Sequence, residues 1–117
     1  MSFTYFGLVK AKSGISLEEF RDHYENVHVP LVLKFCPMLR DYRRTYLDHT
    51  RSALAAGFEC PYDVIAEFRF DSEADYLAYS ATIARPEIAK VIGADSALFI
   101  DTSTITRLMG EEVRSIK

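Results

Sequence analysis

Tryptophan is absent from this 117-residue chain, cysteine occurs twice, and proline and glycine number four and five. Cys36 and Cys60 form no CxxC spacing, which argues against a disulfide framework and a cysteine-rich zinc site; both are expected as reduced thiols. Positive charge is not in excess: 14 Lys and Arg against 17 Asp and Glu give a net charge of -3. The basic residues are scattered, so the stripe that a polyanion requires is missing and nucleic acid is not an expected partner. No apolar run approaches the ~20 residues of a membrane span, and MSFTYFGLVK lacks the charged, apolar and small-residue regions of a secretory leader. The expectation is a cytoplasmic protein with no membrane partner.

Several reaction signatures are missing as well. No histidine pair has a ligand spacing such as HExxH, so no metal is expected, and His23 and His49 read as facing solvent. A phosphate-binding glycine loop, a GxSxG elbow and a cysteine in a nucleophile motif are all lacking. Nor is there an internal repeat, a low-complexity block or a linker.

What the chain does have is apolar and aromatic mass. Apolar residues make up 49% and charged residues 26%, with seven tyrosines and eight phenylalanines. That balance and length suit one globular domain, read as residues 1–108 followed by a charged tail over 109–117.

FTYFGLVK, residues 3 to 10, reads as a first strand, closed by the Ser13-Gly14 turn signal. Ser16 with Glu19 three residues on is a capping box, so a helix begins at Leu17, with Ile15 placed to staple onto Phe20. Leu17, Phe20, Tyr24, Val27, Leu31 and Phe35 recur every three or four residues and predict a buried stripe. Pro30 within it removes a backbone donor, so the helix should kink or restart around His28 and Val29, and Cys36-Pro37 ends it.

Leu39 to Thr50 reads as a second strand. Residues 51 to 61 form a connection long enough to serve as a lid. Tyr62 to Asp71 reads as a third strand, and Asp71 or Ser72 caps a second helix that Pro86 breaks. A short helix after Pro86 is expected to end at Gly93, and Leu98 to Leu108 to supply the fourth strand.

The order β-α-β-β-α-β predicts an α+β, ferredoxin-like protomer: a four-stranded antiparallel sheet with helices on one face. The bare second face predicts a homodimer. Gly7 and Ala66, small residues on neighbouring central strands, would leave room beneath the first helix. Tyr5, Val9, Val64 and Phe68 would line that space by strand alternation, and Asp101 would join it if Phe99 also points inward. His28, Tyr24, Tyr42, Tyr46 and Asp101 are its candidate polar groups, a set suited to a flat phenolic ligand. For His28 the alternative is a core histidine satisfied by a carbonyl or a tyrosine, and each tyrosine can equally be packing.

The stretches SGISLEEFRDHYENVHVPL, YDVIAEFRFDSEADY and LFIDTS with its trailing EE resemble the EthD family of dimeric α/β-barrel proteins. That resemblance implies a ferredoxin-like protomer whose sheet pairs with a second copy to close a barrel. It also implies a pocket between sheet and helices in each subunit. Family members include cofactor-independent lactone isomerases and fungal polyketide-tailoring decarboxylases, dehydratases and cyclases; others have no known activity. By position, the histidine of the H-x-P-L segment is His28. Tyr24 matches a helix tyrosine of the related cyclases, whose second-half histidine has no counterpart here.

The combined expectation is a cofactor-independent acid/base enzyme acting on a small aromatic or polyketide-derived metabolite. His28 would move the proton, with Tyr24, Asp101 and Tyr46 beside it. Tyr5, Gly7, Phe20, Tyr42, Val64, Ala66, Phe68 and Phe99 would hold the substrate. A non-catalytic small-molecule-binding dimer and a cofactor-free anthrone-type oxygenase are the alternatives.

Overall fold

The computed structural model describes residues 3–116; Met1, Ser2 and Lys117, the outermost positions of the domain and tail read from sequence, lie outside the described residues. In chain order the elements are β1 (Phe3–Val9), α1 (Leu17–His23), a π-helical turn (Tyr24–His28), α2 (Val29–Phe35), β2 (Asp41–Tyr46) and β3 (Val64–Phe70). There follow α3 (Glu73–Ile83), α4 (Pro86–Phe99), a 3-10 turn (Thr102–Thr104) and β4 (Thr106–Gly110). The four strands form one antiparallel sheet in the order β2-β3-β1-β4, the ferredoxin-like α+β arrangement.

Alternation along the two central strands separates the faces of the sheet. Tyr5, Gly7 and Val9 of β1 and Val64, Ala66, Phe68 and Phe70 of β3 are buried beneath the helices. Phe6, Leu8 and Ile65 turn to the opposite face, where they are half-buried. Gly7 pairs with Ala66 on one side and Arg107 on the other, so two small residues sit side by side at the middle of the sheet. Two apolar clusters flank that gap. One centres on Phe68, Phe70 and Tyr79, the other on Phe20, Val64 and Phe99.

The first helix begins at the expected place. Ser16 Oγ accepts from the Glu19 amide at 3.0 Å, and the Glu19 carboxylate accepts from the Ser16 amide at 3.3 Å. Pro30 does interrupt the helix, and the turn before it is widened. The Val29 amide reaches back to the Tyr24 carbonyl, a five-residue step, and α2 restarts with Pro30 in its first turn, where its missing N–H costs nothing. The wider turn brings Tyr24 and His28 inward together and leaves Val27 on the outside, 46% exposed. Leu17, at the first turn, is 54% exposed, so these two members of the expected stripe are not core residues.

Several boundaries differ from the sequence reading; the third strand, for one, runs Val64–Phe70 and not from Tyr62 to Asp71. The helix after Pro86 does not stop at Gly93 but continues to Phe99, because Gly93 keeps negative φ and its missing side chain meets open space. The fourth strand therefore starts at Thr106 instead of Leu98 and extends to Gly110. β2 is also shorter than Leu39 to Thr50. Residues 51 to 59 are exposed and none lines the central cavity. Both cysteines are free, and burial pushes the Cys36 thiol up to about 11.

Candidate functional site

Between the sheet and the widened turn lies a cavity of about 120 Å³. Its floor is Tyr5, Gly7, Ala66 and Phe68; its roof is Tyr24, His28 and Val32; Tyr42 closes one side. Val9, Tyr79, Ile83, Ile92, Ser96, Ile100, Ile105 and Arg107 complete it. An engineered apolar cavity of ~150 Å³ takes benzene, so the enclosed space is on the scale of one aromatic ring.

His28 is 6% exposed and is held by a carboxylate that the sequence reading did not place there. Its Nδ1 lies 2.9 Å from Oδ2 of Asp95, and the other Asp95 oxygen lies 2.9 Å from Nε2 of His23. A carboxylate can only accept, so Nδ1 of His28 carries the proton and Nε2 retains its lone pair. No described residue is bonded to that Nε2, and the ring lines the cavity. Burial pulls the His28 pKa below its ordinary 6.5, outweighing the opposing pull of Asp95. At neutral pH the ring is therefore an uncharged base with a fixed tautomer.

Tyr24 stands edge-on to His28, ring centroids 5.5 Å apart. Its hydroxyl accepts a long 3.5 Å bond from Tyr42, which leaves its own proton free. Burial raises the pKa of both phenols, so they are neutral donors. Two hydroxyls and one imidazole thus meet in a mostly apolar chamber. Such a set can remove a proton from a ligand and stabilise the oxyanion that results.

Of the expected site residues, His28, Tyr24, Tyr5, Gly7, Val9, Tyr42, Ala66 and Phe68 line this cavity; Tyr46, Asp101, Phe20, Val64 and Phe99 do not. Tyr46 points away and donates to Glu25 at 2.5 Å, while Arg44 clasps the same carboxylate through two nitrogens at 2.6 and 2.9 Å. That clasp holds the Glu25 carboxyl below the usual range. Asp101 caps the 3-10 turn, accepting from the amide and hydroxyl of Ser103 at 3.2 and 2.6 Å. A short acidic side chain before Thr-Ser-Thr finds its partners locally, which keeps it out of the cavity. Phe20, Val64 and Phe99 are packed solid behind it, although Phe99 touches the rings of His23 and His28.

His23 is a second correction. It is half-buried against Phe99 and bonded to Asp95, not turned to water, because α4 runs one and a half turns past Gly93 and covers it. His49 is exposed and pairs with Asp63 at 3.0 Å. Asp95, Ser96, Tyr79 and Arg107 join the site without a sequence signal as plain as that of His28. The helical spacing of Ile88, Ile92 and Phe99, with Asp95 on the same face, was the available signal. Among the described residues no cluster of three metal-ligating side chains occurs, and no helix is long and apolar enough to cross a membrane.

The fold and site define a class: a ferredoxin-like α+β protomer with a histidine-bearing cavity between sheet and helices. Residues 12–103 match the EthD domain model, and the chain belongs to the EthD family. Solved structures agree on the fold. An EthD family protein from Bacillus halodurans is 24% identical with a TM-score of 0.66, the match covering 97% of this chain and all of that one. An Arabidopsis thaliana protein is 14% identical with a TM-score of 0.65, covering 98% and 99%. A dimeric ferredoxin-like protein of unknown function from Thermobifida fusca is 16% identical with a TM-score of 0.58, covering 94% and 90%. No curated protein matches the chain.

Proposed function

We propose that this protein is a cofactor-independent acid/base enzyme for a small aromatic or polyketide-derived metabolite, with His28 as the proton-transfer residue. The observation that carries the reading is the Asp95–His28 pair: a buried carboxylate orients an uncharged imidazole whose free nitrogen borders a ring-sized cavity. Nε2 accepts a proton from an activated C–H or O–H of the ligand. Asp95 stabilises the imidazolium that forms, and the Tyr24 hydroxyl donates to the enolate or phenolate oxygen. Returned at another carbon, that proton completes an isomerisation; carried off with a departing hydroxide as water, it completes a dehydration; taken from a carboxyl O–H and delivered to the carbon that CO2 vacates, it completes a decarboxylation. Proton transfer by a positioned side chain typically contributes ~10²- to 10⁴-fold.

The protomer is further proposed to work as a homodimer through the open face of its sheet. Phe6, Leu8 and Ile65 lie there with Leu108, which is 50% exposed. Support comes from the apolar character of that face and from the dimeric state of the Thermobifida fusca protein.

Ring deuteration of 2,4-dihydroxybenzoate in D2O, followed by proton NMR, tests the catalytic reading. The wild-type protein should accelerate exchange of an activated ring C–H over buffer, and His28→Ala should return the rate to that of buffer with the fold retained. Equal acceleration by both proteins would overturn the role of His28.

A further inference from the structure

Arg107 is the one cavity-lining cation, and it has no carboxylate partner among the described residues. Most arginines of the chain do have one: Arg40, Arg43, Arg44, Arg51, Arg69 and Arg85 are all paired. Arg107 sits on edge strand β4 directly opposite Gly7, on the face of the sheet that bears the helices. Gly7 puts no side chain between Arg107 and Ala66, and the nearest atoms to that position are those of Phe68 and Ala66. Arg107 also borders an outer groove with Tyr5, Tyr79, Ser80 and Ile83, and the groove and cavity share Tyr5, Tyr79, Ile83 and Arg107. Those four residues therefore stand where the ring-sized interior and the outer groove adjoin. The guanidinium acts directly on the Tyr5 phenol, lowering its pKa against a larger upward push from burial. The phenol stays neutral and remains a donor.

We infer that Arg107 and the Tyr5 hydroxyl form an anion-recognition site at the mouth of the cavity, and that the ligand is a single-ring aromatic acid. Its ring fills the space over Gly7 and Ala66 and its carboxylate points outward to Arg107. Three features act together. The enclosed volume admits about one ring, the walls are aromatic and aliphatic, and the single cation lies at the exit, where an acid group keeps part of its hydration. A planar guanidinium takes a carboxylate through two parallel hydrogen bonds, and Tyr5 supplies a third donor. The inference rests on the reading of this cavity as the ligand site, but not on His28 moving a proton.

Ligand-observed NMR titration with 4-hydroxybenzoate and its near-isosteric amide, 4-hydroxybenzamide, separates the two ideas because it requires no turnover. The wild-type protein should bind the acid about tenfold more tightly than the amide, equivalent to ~1.4 kcal/mol. Arg107→Gln should remove that preference, the acid losing about tenfold more affinity than the amide. Arg107 is exposed, so the variant should unfold at the wild-type temperature. Equal affinities in the wild-type protein, an acid preference that survives Arg107→Gln, or binding of neither probe would overturn the assignment. An Arg107-dependent acid preference in a protein that exchanges no ring protons would uphold it and sink the catalytic reading instead.

Discussion

Burial, Asp95 and the neighbouring His23 all act on the His28 imidazole, His23 adding a small push in the same direction as burial. Loss of water lowers its pKa and the Asp95 carboxylate raises it, with desolvation the larger. Removing the carboxylate should therefore push the value lower still. In Asp95→Asn the His28 pKa should fall below that of the wild-type protein, and exchange activity should drop while its pH profile shifts to lower pH. Imidazole chemical shifts followed against pH check the first point; an unchanged or higher value would show that Asp95 does not act on the ring. Stability follows the same sign. The unfolded chain holds the proton up to about pH 6.5 and the folded chain releases it at a lower pH, so this contribution is full above 6.5. It is lost as the pH falls through the folded value. Urea midpoints at pH 7.5, 6.5 and 5.5 should decline in that order, and a midpoint that rises toward pH 5.5 would contradict the assignment. His28 was legible because a histidine one turn from Tyr24, two residues before a proline, falls on the inner side of an apolar helix. Asp95 was not, since Gly93 reads as a helix stop and a residue beyond a stop has no face.

At the scale of elements, the interruption of the first helix illustrates what a proline leaves undetermined. Pro30 requires that one hydrogen bond be lost, which the sequence makes plain; whether the helix bends or takes in an extra residue is decided by what packs around it. Here a π turn keeps Tyr24 and His28 inward on one side and Val29 and Val32 on the other. Strand alternation was easier to read, because the period of two leaves little freedom once a face is buried. The same alternation supplies a test of the cavity. A Cβ at Gly7 would meet Phe68 and Ala66 at 3.7 and 3.9 Å, ordinary contact distances, and the backbone there has no positive φ. Gly7→Val should consequently fold, helped by the strand preference of a β-branched residue, yet place two methyl groups where a ring would lie. We expect 4-hydroxybenzoate affinity to fall at least tenfold with the urea midpoint held or raised. Undiminished affinity in a folded Gly7→Val protein would place the ligand elsewhere.

For the whole molecule, the sheet is covered on one side only. The helices occupy the face of Tyr5, Val9, Val64 and Phe68, and the other face carries Phe6, Leu8, Ile65 and Leu108 among charged neighbours. Glu112 reaches across that side to Arg69 at 2.7 Å, yet the Arg69 Nε and the Thr4 hydroxyl stay buried without partners among the described residues. Unpaired buried donors cost ~1–3 kcal/mol each, a cost that a second chain laid on this face could relieve along with the exposed apolar surface. Phe6 lies opposite Leu108 on β4, near the middle of the patch. A lysine at this position faces water in a lone protomer and is harmless there, but two related lysines would be desolvated across a twofold interface. Sedimentation equilibrium of the wild-type chain should accordingly return twice the 13.3 kDa protomer mass, and Phe6→Lys should return the protomer mass with helical signal intact. Because His28, Asp95 and Arg107 all lie on the helix side of the sheet, the monomeric variant should still bind 4-hydroxybenzoate. A wild-type protein that sediments as a monomer would remove the second chain, and with it the explanation for the unpaired Thr4 and Arg69 groups.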